Sequence, residues 1–342
     1  MRDNALYFPY INAPNSEWFF KILLYWEKVS SIVPSGYIYN PQKLEPQMRE
    51  FVSAELVHQV FPAELLYGNE RFENSFISFV NSRLRLRQAN NRPGQGVRRT
   101  QPIHIEKLGK LGDELVRLGV ARARNYPWFD VDEWVGDAFM AYLASVLGSY
   151  PEVNAAPVTN RIQSFQVLGG LRPTYAQKSP FPQARRAARE IMIKNLLPTP
   201  KGELKIQDIV DFKSRYGHLL PRLRNLVENR CIQIAQITDL EARQDQIELF
   251  LQEFEVEIGE ITEAMKRKWS NVIFKTLVPL LTGVAAVTSG VAGAPEIQST
   301  ATTLAGSGTL LTAIQQAIGR NDSHLSDRPI AYAAHARLIF SK

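Results

Sequence analysis

Six arginines crowd one short stretch of the sequence. Arg83, Arg85 and Arg87 alternate in RLRLR, Arg92 lies within the glycine-containing run ANNRPGQG, and Arg98 and Arg99 follow it. Guanidinium forks and the amides of a glycine loop suit phosphate oxygens, so these six are the candidate contacts to a nucleic-acid backbone. No aromatic side chains interleave with the loop as base-stacking platforms would. The favoured alternative is that RLRLR finishes an amphipathic helix and the loop is simply hydrated. A second constellation, Asp130, Asp132, Glu203 and Lys205, includes the Glu-x-Lys pairing in GELKI that metal-dependent phosphodiester cleavage can use. That pairing is common by chance, and Asp130 with Glu133 is better explained as the capping-box start of a helix over DVDEWVGDAFMAYLASVLG.

Other catalytic signatures are missing. Gly109-Lys110 is the only Gly-Lys pair, yet His104 stands where a P-loop needs its first glycine and Leu111 where it needs Ser or Thr. There is no GxSxG elbow, no HExxH and no Cys/His ligand spacing. His58, His104, His218, His324 and His335 read as packing or surface residues. No catalytic residue, metal site or cofactor follows from the sequence, which leans away from an enzyme.

Charge is unevenly distributed along the chain. Residues 83 to 124 hold eleven Lys/Arg against three acids, residues 161 to 230 fourteen against five, and residues 239 to 263 nine acids against one Arg. Such blocks steer partners of opposite charge, although a solvated face is the commoner explanation. With 45% apolar and 22% charged residues the 342-residue chain is ordinary globular material with room for about two domains. A single cysteine, Cys231, and the start MRDNALYFPY, which lacks the layout of a signal peptide, point to a reducing cytoplasm.

The elements that must carry these residues read as mostly helical. LYFPY has the aromatic alternation of a short strand, and NAPNS supplies turn chemistry and an N-cap. A helix is then expected from Ser16 to Pro34, with SGYIY completing a β-α-β opening. Two helices are expected over 45–89, the second carrying Phe72, Phe76, Phe79 or Val80 and Leu84, and another over 105–121 carrying Leu108, Leu111, Leu115 and Leu118. Five prolines in residues 149–183 mark a connection. The fold class expected is therefore mainly α. It comprises an α-rich domain with a few short strands over 1–148, a Pro-rich connection over 149–200, and a long-helix and hydrophobic-hairpin region over 201–342.

The last region is the most patterned. Leu240, Ile247, Leu251, Phe254, Ile258, Ile261 and Met265 form an a/d seam over nearly four heptads. A single helix from Pro221 to Asn271 would reach roughly 75 Å and would need a partner along that seam. Residues 276 to 295 then pass without a charge, about the length that spans a bilayer. Eleven of residues 276 to 294 are Ala, Gly, Ser or Thr, which leaves insertion near break-even. Small residues repeat every four positions at Thr282, Ala286, Gly290 and Ala294, and after Pro295 at Ala301, Ala305, Thr309, Ala313 and Ala317. Two such stripes describe a helical hairpin whose backbones approach closely, in a core or in a membrane. One charge, Glu296, sits at its turn. Lys266, Arg267, Lys268 and Trp269 precede it as an interfacial anchor or as cations at a helix C-terminus.

Four stretches in this order, LYFPY, LLYWEKVSSIVP, IQDIVDFKSRYGHLLPRLRNLVE and RPIAYAAHARLIF, resemble a family of functionally uncharacterised bacterial proteins, a domain of unknown function spanning nearly the whole chain. The resemblance implies a bacterial origin and one co-inherited architecture, and no activity. The function expected is an interaction or scaffold subunit engaging a protein partner or a second copy through its seam and hairpin. The alternatives are a membrane-permeabilising effector inserting residues 276–319, as in an antiviral or abortive response, and a nucleic-acid-binding protein or nuclease.

Overall fold

In the computed structural model, which describes residues 2–66, 68–89, 99–161, 181–200, 205–239, 241–263 and 328–341, the chain is an α/β protein rather than a mainly α one. It packs as two units, Met1–Arg215 and Tyr216–Lys342. Unit 1 contains two sheets. β1 (Asn4–Tyr7), β2 (Lys28–Ile32), β3 (Val57–Val60) and β7 (Ala155–Val158) pair in parallel in the order β3-β2-β1-β7. β4 (Thr100–His104), β6 (Trp128–Asp132) and β5 (Ala121–Ala123) form an antiparallel sheet in the order β4-β6-β5.

The strands were hard to foresee because they are short and buried. Ala5, Leu6 and Tyr7 of β1, and Val29 and Ile32 of β2, have no exposed surface. Such strands read as continuous apolar runs that mimic the inside of a helix. The helix expected over 16–34 accordingly divides. Ser16 caps α1 (Glu17–Tyr25), its Oγ accepting from the Phe19 amide at 3.3 Å, and the helix stops at Trp26. The β-branched run KVSSI becomes β2, and SGYIY supplies only the one-turn helix α2 (Ser35–Ile38).

What closes α1 comes from far along the chain. α10 (Ile206–Tyr216) sends the Lys213 ammonium to the carbonyls of Leu23, Trp26 and Glu27, each at 3.0 Å. These are acceptors of a helix terminus that would otherwise lack donors.

Two other expected helices are also broken, the first over 45–89 and the one over 105–121, while the second over 45–89 forms intact. Residues 45–89 give α3 (Pro46–Ser53), then β3, α4 (Pro62–Leu66) and the 20-residue α5 (Glu70–Ala89). Residues 105–121 give α6 (Ile105–Leu108) and α7 (Leu111–Arg117), separated at Gly109, whose φ of 57° favours glycine. Asp130 lies in β6, so α8 (Glu133–Leu147) starts after Asp132 and not at Asp130. The stretch read as a connection over 149–200 supplies β7 and α9 (Phe181–Leu196) to unit 1.

The core of unit 1 joins the sheets. Leu6, Phe8 and Ile32 meet Phe72, Phe76, Phe79 and Val80 of α5, Ile103, Phe129 and Val131 of the second sheet, and the Val135, Phe139 and Leu143 face of α8. Tyr7 instead meets α1, with Phe19 at 5.5 Å edge-on, and Phe19 continues to Phe51 of α3. Between α8 and β7, Gly148 lies so close to the Ala155 carbonyl that a Cβ would stand 2.3 Å from its oxygen.

Unit 2 contains α11 (Leu220–Gln236), α12 (residues 241–263) and α13 (Ala331–Phe340) among the described residues. The single long helix expected from Pro221 to Asn271 is interrupted at residues 237–239. Arg243 donates back to the Ile237 carbonyl at 3.1 Å, and Asp239 accepts from the Ala242 amide at 2.8 Å as an N-cap. Seam residues Ile247, Phe254, Ile258 and Ile261 are buried and Leu251 is half-buried, while Leu240 and Met265 lie outside the described residues. Ties within the same chain flank the seam. Arg230 of α11 reaches Glu253 at 3.4 Å and covers the Phe250 ring at 5.5 Å, and Arg337 of α13 grips Glu255 at 2.6 Å.

The hairpin positions Thr282, Ala286, Gly290, Ala294, Ala305, Thr309 and Ala313 lie outside the described residues. Among the described residues no helix is long and apolar enough to cross a membrane.

Candidate functional site

The order β3-β2-β1-β7 reverses direction at β1: the chain winds outward through β2 and β3, then returns to the other side of β1 with β7. In open parallel sheets a crevice opens outside the carboxyl ends of the strands at such a reversal. Here those ends are Tyr7 and Val158, and the segments leaving them are residues 8–16 and 159–161.

The segment after β1 is held from two sides. Ser31 Oγ of β2 donates to the Ile11 carbonyl at 2.9 Å, and Lys107 Nζ of α6 to the Pro9 carbonyl at 3.4 Å. Lys107 is 5% exposed, and burial pulls its pKa down to about 7. On the other side, Arg161 holds its guanidinium 5.0 Å above the Tyr10 ring and 3.3 Å from Asp137 Oδ1 of α8. Gln101 Nε2 of β4 reaches the same carboxylate oxygen at 3.1 Å. Below them the Tyr7 hydroxyl is fully buried and makes no hydrogen bond among the described residues; burial raises its pKa, with Tyr10 adding to the effect and Arg161 opposing it.

Beside this cluster lies a cavity of about 620 Å³. The first two turns of α1, from Ser16 to Ile22, form one wall, the residues ending β7 a second, and α9 the third. α9 contributes Arg186, Arg189, Glu190 and Lys194. Burial, with repulsion from Arg189 and Arg2 adding to it, lowers the Arg186 pKa to about 10. Arg189 also covers the Trp26 ring at 5.6 Å. Lys21 spans the cavity's rim, bonded to the Lys194 carbonyl at 2.7 Å and paired with Glu17 at 2.8 Å. Burial raises the Glu190 pKa, against a hydrogen bond with Trp18 that lowers it. A second cavity, of about 970 Å³, lies on the other side of α1's first turn, between α1, α3 and the start of α10, with Lys205 on its edge.

The residues singled out in the sequence fall elsewhere. Arg83 and Arg85 are exposed on α5 two positions apart, so they point in different directions, and Arg83 lies over the Phe79 ring. Arg99 is exposed ahead of β4, where its carbonyl accepts from the Glu133 amide. Arg92, Arg98 and the Arg87 side chain lie outside the described residues. Of the acid constellation, Asp130 pairs with Arg124 at 3.3 Å on the second sheet and Glu203 lies outside the described residues. Among the described residues no cluster of His, Cys, Asp or Glu could hold a metal ion.

His104 caps α6 by accepting from the Glu106 amide at 3.2 Å, and burial lowers its pKa. His335 stacks on Tyr216 at 4.1 Å with its pKa pushed down to about 4 by burial and by His218. No protein family, curated protein or solved structure matches the chain.

The buried Lys107 makes one feature of this site measurable through pH. Its folded pKa lies below the unfolded value, so between about pH 7 and 10.5 the unfolded chain binds a proton that the native chain does not, and folding gains stability as pH rises, by up to about 1.4 kcal/mol per pH unit. Lys107→Met should therefore be more stable than the parent at pH 6, with the advantage shrinking toward pH 10 in urea unfolding. A constant loss at every pH would show instead that the ammonium is a net stabilising tie.

Proposed function

We propose that this chain is a non-enzymatic binding protein whose first unit takes a small anion in the cavity at the β1/β7 reversal. The observation that carries this is the placing of Arg186 and Arg189 in one cavity with the N-terminal turn of α1. Two guanidiniums lining one cavity gain from an anion between them, and phosphate oxygens match their fork geometry. The helix N-terminus adds amide dipoles of the same sign. Glu190, the acid from α9 in the cavity, has its charged form disfavoured by burial. Inorganic phosphate should raise the unfolding temperature in a saturable way that chloride of equal ionic strength does not reproduce, and Arg186→Gln should remove at least nine-tenths of that affinity. An equal response to phosphate and chloride would count against an anion site.

A second reading concerns unit 2, as an interaction surface for another copy of the chain. It is supported by Leu249 and Val256, 51% and 66% exposed and one heptad apart on α12, facing away from the buried seam. An acidic helix with two exposed apolar side chains in register fits self-association through that face. Sedimentation should give a dimer that Val256→Lys converts to monomer; a monomer at every concentration of the parent chain would refute this.

A further inference from the structure

The cavity is two-sided, and its lining names a ligand class more closely than its charge does. Arg186 and Arg189 stand on α9 with Lys21 across from them, while Trp18, Ile22 and Ile193 supply apolar wall. A ligand that satisfies both sides has an anionic end and a flat apolar body, and about 620 Å³ accommodates one of roughly nucleotide size.

Two further observations narrow the choice. Trp18 is half-buried, and its ring meets Tyr7 at 6.1 Å and 51° and Phe19 at 6.2 Å and 41°, so neither ring lies flat on it. Its hydrogen bond with Glu190 fixes the indole's orientation. That makes Trp18 a held platform for a planar ring, whereas Trp26 already lies under Arg189. The segment leaving β1, residues 8–16, contains Pro9 and Pro14 and no glycine. Glycine turns let a backbone approach a pyrophosphate closely, and this segment cannot offer that approach. Phosphate binding here falls to side chains, which suits a single phosphoryl group better than a dinucleotide.

Resting on the anion-site reading above, we propose that the cavity binds a nucleoside monophosphate, with its phosphate on Arg186 and Arg189 and its base against Trp18. The test is calorimetric titration of the full chain with the four ribonucleoside 5′-monophosphates, with inorganic phosphate, with adenosine and with NAD. At least one monophosphate should bind tenfold or more tightly than inorganic phosphate and than NAD. Trp18→Leu should collapse the advantage over inorganic phosphate to under threefold while leaving phosphate affinity unchanged, and Arg186→Gln should weaken both by tenfold or more. Should Arg186→Gln fail to fold, the Trp18→Leu comparison still decides the base contact. If phosphate and every monophosphate bind equally, the base contact is refuted and the anion site stands. If none of the anions binds to chain that unfolds cooperatively, both fall.

Discussion

Strand β1 is four residues long and pairs in parallel on both sides, Asn4 to Tyr7 against Lys28 to Ser31 and against Ala155 to Val158. Everything distinctive about unit 1 depends on that double pairing. A strand buried on both faces and bonded on both edges has no freedom of register, because a one-residue slip would turn Leu6 out of one core and Tyr7 out of the other. The fixed register sets where the chain leaves the sheet. It therefore sets where the N-terminus of α1, the Tyr10 ring and the end of β7 come together. The crevice is a consequence of strand order, and the side chains only decide what enters it.

Buried and half-buried lysines complete this frame in an unusual way. Lys21, Lys107 and Lys213 each send the ammonium to main-chain carbonyls, of Lys194, Pro9, and the triad Leu23, Trp26 and Glu27. Carbonyl dipoles solvate an ammonium less well than water does, and burial lowers the proton affinity of Lys107 and Lys213 accordingly. Each tie joins segments distant in sequence, by 98 residues for Lys107 and 173 for Lys21. Part of the basic excess between residues 161 and 230 is thus internal structure and not a surface for partners. Arg186 and Arg189 belong to the remainder, because they line a cavity.

Local signals were readable where a single residue type determines local geometry. Ser16 marks a helix start by its hydroxyl, and Phe72, Phe76 and Val80 mark the buried stripe of α5 by their spacing. The apolar positions of the α12 seam are legible too, whereas the length of the helix carrying them is not. The break at residues 237–239 was signalled by the capping residue Asp239 and overridden by the regularity on either side. Strands escaped because KVSSI and its parallel neighbours, covered on both faces, lose the alternation that identifies a strand. The candidate site escaped for a different reason. Tyr7, Arg161, Arg186 and Trp18 come from four separate segments, and nothing local ties them, whereas Arg83 to Arg99 drew attention by density along the chain. Only the basic bias of residues 161–230, which contains Arg161, Arg186 and Arg189, covers residues of this site.

The central claim is a location: an anion belongs between α1's first turn and the arginines of α9. Soaking crystals of the full chain in tungstate, a heavy tetrahedral mimic of phosphate, and locating the metal by anomalous scattering tests it directly. The account predicts the strongest peak within hydrogen-bonding reach of both Arg186 and Arg189 beside Ser16. Strong peaks elsewhere, such as against Arg83 or Arg99, with none in that cavity would contradict it.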